Sequence, residues 1–256
     1  MKYCLHSTLT DEYLQKADEI KVSYKDRKHI FDLALKYPKA TFILDMHGTQ
    51  EPEDWNEIYR LKVLCKDKFI LAIGDFLYAD DCKAKNIQFY YTFPINTMYD
   101  LIAAKEQGCV YALIDSPLTH MLPEAKEVGI PLRVVPNVAY YSYIPRENGV
   151  LGSWIRPEDI DTYAEYIDAI EFENCDIKKE SALYRLYAEH QPWLGDINLL
   201  ITNLNYPAEN RMIPSTFAEA RIKCGQRCLT GAHCRLCYTY LNLANPELLE
   251  QYKNGN

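Results

Sequence analysis

Residues 41–74 read TFILDMHGTQEPEDWNEIYRLKVLCKDKFILAIG. Thr41–Met46 is a short β-branched and aromatic run, as a strand requires. Glu53–Cys65 then places Trp55, Ile58, Leu61, Val63 and Leu64 at broadly helical intervals, with Pro52 near the first turn. Phe69–Gly74 is strand-like again. A strand, a helix-length segment and a second strand make one βαβ unit, and such units put their strands in parallel.

The same alternation extends in both directions. Upstream, Lys2–Ser7 and Asp18–Tyr24 read as strands, and Arg27–Tyr37 reads as a helix stopped by Pro38. Downstream, a short helix is expected around Ala79–Lys85. Strands follow at Ile87–Ile95, Val110–Ser116, Leu132–Val138 and Asp168–Glu173. Helices are expected at Thr97–Gln107, Leu122–Val128 and Arg156–Tyr166; Gly108 and Gly129 end the first two. Pro136 weakens the strand that contains it. Eight strand signals separated by helices predict an α/β fold, a TIM-like (β/α)8 barrel, with a doubly wound open sheet as the alternative. Short connections after the first strand and around residues 139–152 predict an irregular barrel. The barrel is assigned to residues 1–175. Residues 176–256 are assigned to a helical tail packed on it, as one domain overall.

The chain has 256 residues, enough for a barrel-sized core, with 48% hydrophobic and 25% charged residues. The formal net charge of −8 argues against a broad electrostatic grip on nucleic acid. No apolar run reaches the roughly 18–20 residues of a membrane span. The first residues, Met-Lys-Tyr-Cys-Leu-His, do not form a basic-plus-apolar leader. A reducing, cytoplasmic setting is the expectation. The 21 tyrosines, many in strand-like runs, are expected in the core or barrel wall.

A barrel carries its chemistry at the C-terminal ends of its strands. Those ends supply His6, Asp45, His47, Asp115 and Glu171 as candidate catalytic residues. Asp45 and His47 lie two apart on a strand and share a face, as an acid/base couple, a contribution to a metal site or a rim hydrogen bond would need. Glu171 and Glu173 share a face by the same rule. Close carboxylates raise one pKa for proton transfer; solvation, or pairing with arginines such as Arg211 and Arg221, is the alternative. No nucleophile elbow, phosphate loop, zinc-protease helix or compact dinucleotide fingerprint is present.

Four of the nine cysteines crowd one segment: Cys224, Cys228, Cys234 and Cys237, spaced C-x3-C-x5-C-x2-C. Several thiolates converging from short spacings suit a soft metal or an iron–sulfur cluster. Two disulfides would leave five thiols unpaired, so disulfides and coincidental clustering rank below a metal centre. Spacing leaves structural zinc and a 4Fe–4S cluster both open. His233 reads as a neighbour of the site more than a ligand. The spacing differs from the C-x3-C-x2-C of radical-SAM barrels.

The chain also resembles the peptidase family U thirty-two, the collagenase-like peptidases. The residues that carry the resemblance are Asp115-Ser-Pro117, Gly129-Ile-Pro131 with Asn137, the segment from Gly149 to Glu158, Ala169-Ile-Glu171-Phe-Glu173, and Arg221-Ile-Lys-Cys224-Gly-Gln-Arg-Cys228. They fall within residues 85–237. The resemblance implies a barrel-like fold, a 4Fe–4S cluster on four cysteines and oxygen-independent hydroxylation of RNA bases or quinone precursors. This chain departs from the family in being short and in gathering its candidate ligands in one segment. Cys175 is an alternative fourth ligand.

Two functions are therefore expected to compete. One is an iron–sulfur modifying enzyme, such as a hydroxylase, with the rim residues facing an unidentified small-molecule or macromolecular substrate. The other is a non-catalytic barrel whose tail binds zinc, an accessory or phage assembly protein with a protein partner. The protease function in the family's name has no nucleophile–base pair to support it.

Overall fold

The computed structural model describes residues 1–46, 55–114, 121–138, 155–201 and 209–224. Among them, eight strands form one parallel sheet: β1 (Lys2–His6), β2 (Glu19–Ser23), β3 (Thr41–Asp45), β4 (Phe69–Ile73), β5 (Gln88–Tyr91), β6 (Ala112–Ile114), β7 (Leu132–Val134) and β8 (Ala169–Glu171). Their spatial order is β5-β4-β3-β2-β1-β8-β7-β6. That order is the chain order read round a circle, with β1 seated between β2 and β8. A doubly wound sheet would reverse direction at a switch point, so the barrel is the fold and the open sheet is excluded. The seam lies between β5 and β6. There the Val110 amide donates to the Phe89 carbonyl at 2.9 Å and the Ile95 amide to the Leu113 carbonyl at 2.7 Å. The barrel is nearly closed.

Alternation along the strands sorts side chains into two layers. Val22, Phe42, Leu44, Phe69, Leu71 and Phe89 belong to the large outer core between sheet and helices. A smaller inner cluster holds Cys4, Ile43, Ile70, Ala72, Tyr90, Tyr111 and Ala169. The charged Glu19, Lys21, Arg133 and Glu171 are buried on the inner face as well.

The helices are α1 (Asp11–Leu14), α2 (Ile30–Lys36), α3 (Trp55–Cys65), α4 (Tyr78–Ala84), α5 (Met98–Glu106), α6 (Leu122–Glu127), α7 (Ile160–Tyr163), α8 (Ile177–Ala188) and α9 (Phe217–Ile222). α5 starts under a Thr97 cap, whose hydroxyl accepts from the Asp100 amide at 3.1 Å. Asp176 caps α8 in the same way through the Lys179 amide at 2.7 Å. Helices α4, α5 and α8 end in one device: Asn86, Gly108 and His190 take positive φ and the chain folds back onto the last turn. α8 follows β8 and lies against β1, where Tyr184 meets Tyr3 edge-on at 5.4 Å, and its Tyr187 packs on Phe172, just past β8, at 5.4 Å.

Several elements are shorter than the pattern predicts. The segment expected to be helical over Arg27–Tyr37 begins as a 3-10 turn, Tyr24–His29, before α2. Arg156–Tyr166 splits into a 3-10 turn at Pro157–Asp159 and the single-turn α7, because the chain must bend after Tyr163 to enter β8. β7 stops at Val134, ahead of Pro136, which has no amide hydrogen for the ladder. Within the segment assigned to a helical tail, residues 196–201 form only one 3-10 turn, Ile197–Leu199. Among the described residues no helix is long and apolar enough to cross a membrane.

Gly108 offers a clean test of one helix end. Its φ is +82°, and a Cβ built there meets nothing within 4 Å. Gly108→Ala is therefore expected to cost only the left-handed backbone penalty, about 1–2 kcal/mol. Urea denaturation checks this as a lowered midpoint at unchanged slope.

Candidate active site at the barrel mouth

Six strands, β1, β2, β3, β5, β7 and β8, supply charged or phenolic side chains to the site, and Tyr111 joins them from just before β6. Arg133 of β7 is fully buried and forks between two carboxylates. One guanidinium nitrogen donates to Glu19 of β2, and another donates to Oε2 of Glu171 of β8 at 2.9 Å. The guanidinium also lies over two aromatic faces, 4.8 Å from the Tyr90 centroid and 4.4 Å from that of Tyr111. The Tyr111 hydroxyl donates to Glu19 at 2.7 Å and accepts from Lys2 Nζ at 2.8 Å. The Tyr90 hydroxyl donates to Glu171 at 3.0 Å. These contacts form the floor of the site.

Lys21 of β2 stands above that floor. Its Nζ donates to Oε1 of Glu171, lies 3.2 Å from Asp45 Oδ2 and 3.8 Å from Glu173 Oε1. Burial alone pushes the Lys21 ammonium toward losing its proton. Glu171, Tyr90, Asp45 and Glu173 more than reverse this and hold its pKa well above the ordinary value. Burial likewise pushes the Glu171 carboxyl up, but the charges of Lys21 and Arg133 and the Lys21 hydrogen bond hold it down at about 2. Lys21 stays cationic and Glu171 anionic through the neutral range.

The network opens into a cavity of about 450 Å³ lined by His6, Lys21, Asp45 and Glu173, with Phe93 and Pro94 forming one side. It lies where the strands end, as the barrel rule predicts. His6 closes β1. Its amide donates to Glu180 Oε1 of α8 at 2.7 Å, and its ring Nδ1 lies 3.5 Å from Glu180 Oε2. Burial pushes the Glu180 carboxyl up while His6 draws it down. Asn137 ties the loop after β8: its Nδ2 donates to the Glu173 carbonyl at 2.7 Å and its Oδ1 accepts from the Glu173 amide at 3.1 Å.

The structure brings three predicted rim residues together at the mouth: Asp45 and Glu171 pair with the Lys21 ammonium, and His6 lines the same cavity. His47 and Asp115 lie outside the described residues. The expected carboxylate pair needs correction. Glu171 and Glu173 do both face Lys21, but the Glu171 pKa falls, because cations outnumber the neighbouring carboxylates at its own oxygens. Its arginine partner is Arg133. Arg211 pairs with Glu209 at 3.4 Å, and Arg221 lies over the rings of Tyr163 and Phe217.

The sequence reading missed Lys21, Arg133, Glu19 and Glu180. Its available signal was polar residues inside strand runs, as in Glu19-Ile-Lys21-Val-Ser23. A parallel barrel strand with both faces covered should be apolar throughout.

Of the four clustered cysteines, Cys224 follows α9 and is half-buried, its amide bonded to the Arg221 carbonyl at 3.0 Å. Cys228, Cys234 and Cys237 lie outside the described residues. Among the described residues no group of three or more His, Cys, Asp or Glu is placed to hold a metal ion. Cys175 is engaged in the β8 loop, accepting from Asn137 at 3.1 Å and donating to the Glu173 carbonyl at 3.2 Å. Burial pushes its thiol up to about 11.

Fold and site together define a (β/α)8-barrel protein whose charged interior opens at the C-terminal mouth. No protein-family model and no curated protein matches the sequence. Two solved structures are similar in backbone. One is a cube-shaped, highly porous cage designed by fusing symmetric oligomeric domains, at 13% identity and a TM-score of 0.47 over 74% of this chain and 72% of that chain. The other is 3-keto-L-gulonate-6-phosphate decarboxylase from Vibrio cholerae, at 14% identity and a TM-score of 0.43 over 75% of this chain and 100% of that chain. At this level of likeness nothing about activity passes to the present chain.

Proposed function

We propose that the protein is a modifying enzyme whose substrate enters the barrel mouth and loses a proton there from a carbon next to a carbonyl. One observation carries the reading: a buried ammonium, held by carboxylates, faces an open cavity of about 450 Å³ at the C-terminal end of the barrel. An ion-paired interior gives less stability than packed aliphatic side chains of the same volume. Barrel interiors are ordinarily filled by Val, Ile and Leu, so a charged one argues for use.

In this reading His6 is the base. A proton on Nδ1 facing Glu180 leaves Nε2 with its lone pair for the substrate. The C–H bond breaks, the proton goes to Nε2, and the electron pair moves onto the carbonyl oxygen. Lys21 donates a hydrogen bond to that oxygen and stabilises the enolate. Glu173, at 3.8 Å the most distant of the three carboxylates round Lys21, is the partner the substrate oxygen displaces. Glu180 positions the imidazole.

The tail is proposed to hold a 4Fe–4S cluster on Cys224, Cys228, Cys234 and Cys237, in keeping with the resemblance to family U thirty-two. Four thiols within a short segment are a suitable donor set for it. Such a cluster supplies one-electron chemistry when bound.

Two measurements test these readings. In deuterated water, wild-type protein should exchange the α-hydrogen of at least one class of carbonyl compound in a panel of keto acids, keto sugars and aldehydes. His6→Gln should slow that exchange by about 10²–10⁴-fold. Equal exchange by the variant, or none by wild type across the panel, would remove the proton-transfer reading. For the tail, protein purified without oxygen should carry about four irons and four sulfides per chain, lost in Cys228→Ser. One zinc and no iron would make the tail a structural staple.

A further inference from the structure

A second cavity adjoins the mouth and shares its Phe93–Pro94 wall. Its volume is about 300 Å³, the lower end of the range of about 300–1,000 Å³ for small-molecule sites. Three rings form one side. Tyr91 and Phe93 stack at 4.8 Å with only 20° between their planes, and Phe76 packs on them at 4.8 and 4.9 Å. Phe76 nevertheless remains 58% exposed. Across from the rings α5 presents Ala103 and Ala104, which leave room instead of filling it.

Among the described residues the polar lining is sparse and carries no cation. It consists of Asn96, Asp100 and Gln107. Gln107 accepts from the Tyr91 hydroxyl, and Asp100 accepts from the Thr97 hydroxyl at 2.6 Å. A carboxylate with no basic neighbour among the described lining residues disfavours an anion. Stacked on each other, Tyr91 and Phe93 keep only their edges and outer faces for a ligand and, with Phe76 against them, make one aromatic wall, whereas a cage for a quaternary ammonium needs ring faces on several sides. The shape and chemistry select a flat, uncharged ring that packs against this aromatic wall.

We infer that this cavity is a specificity subsite: it takes an uncharged planar ring of the substrate while the reacting carbonyl end reaches Lys21 past Phe93. The inference rests on the mouth being the substrate site. It narrows the substrate class to compounds with an uncharged ring at one end and a carbonyl at the other.

Indole is the probe, because it carries the ring and no carbonyl. Saturation-transfer NMR should show it binding wild-type protein with a Kd on the order of 1 mM. Phe76→Ala should weaken it about three- to tenfold, the size of one aromatic contact. Ala103→Phe, which fills the space, should abolish it, and circular dichroism confirms that each variant is folded. His6→Gln should bind indole as wild type does. Choline and benzoate should not bind.

No indole binding to wild type, equal binding by folded Ala103→Phe, or a preference for choline or benzoate would overturn the subsite. The deuterium-exchange result is separate. Indole binding as described with no exchange sinks the mouth chemistry and leaves a ring-binding cavity. Exchange without indole binding does the reverse.

Discussion

Arg133→Leu is expected to destabilise the protein by about 3–5 kcal/mol, the usual effect of stripping one partner from a buried ion pair. That is a large part of the roughly 5–15 kcal/mol by which domains are stable. The loss comes from what stays behind. Glu19 and Glu171 both remain fully buried. Glu19 would keep the Tyr111 hydroxyl and a Lys2 ammonium 3.7 Å away. Glu171 would keep Lys21 and Tyr90. Neither would keep the fork that neutralises both. Arg133→Lys should fall between wild type and leucine, since an ammonium restores charge but cannot serve two carboxylates in one plane. The discriminating variant is the double Arg133→Leu, Glu19→Leu. Removing both partners leaves no orphan at that oxygen, so the pair should lose less than the sum of the two single changes. Urea denaturation of the four proteins measures the coupling. Strict additivity would mean that the Arg133–Glu19 contact is not a working interaction.

The barrel was legible because each βαβ unit shows itself locally. In residues 41–74 the change from a compact β-branched run to helical spacing and back is visible without any neighbour. The charged interior was not legible in that way. Glu19 and Lys21 alternate with Ile20 and Val22, and alternation ordinarily means one wet face. Only closure of the sheet puts β2, β7 and β8 around one axis and turns those positions inward. His6, Asp45 and Glu171 were found because strand ends can be read from sequence. Glu180 was not, because it sits within α8 and faces the mouth only through the packing of that helix on β1. Lys21 was missed for a related reason: it lies inside a strand and reaches the mouth by the length of its side chain. Pairing of Glu171 with arginines of the tail also failed, because separation along the chain says nothing about which inner face meets which.

Acid should unfold the protein through the same network, and Glu171 sets the window. Its folded pKa of about 2 lies below its ordinary value of 4.5, so the folded state holds the carboxylate more tightly than the unfolded chain does. The stability this supplies is fully present above pH 4.5 and is lost as the pH falls toward 2. A single carboxyl contributes at most about 1.4 kcal/mol per pH unit, so the loss should deepen steadily as the pH falls below 4.5. Two groups act the other way. Burial raises the Glu180 and Asp159 carboxyls, which gain by protonating in the fold and offset part of the loss. Glu171→Gln separates the terms. The variant should be less stable than wild type at pH 7, because Lys21 and Arg133 lose their shared anion. Its stability should then fall less steeply below pH 4.5, leaving the two curves closer at pH 3 than at pH 7. Urea midpoints from pH 7 to 3 give both curves. Parallel curves would mean that Glu171 is not the titrating group. Converging curves would tie the mouth to the fold, since the proton that weakens the barrel also releases Lys21 from the carboxylate that aims it at the cavity.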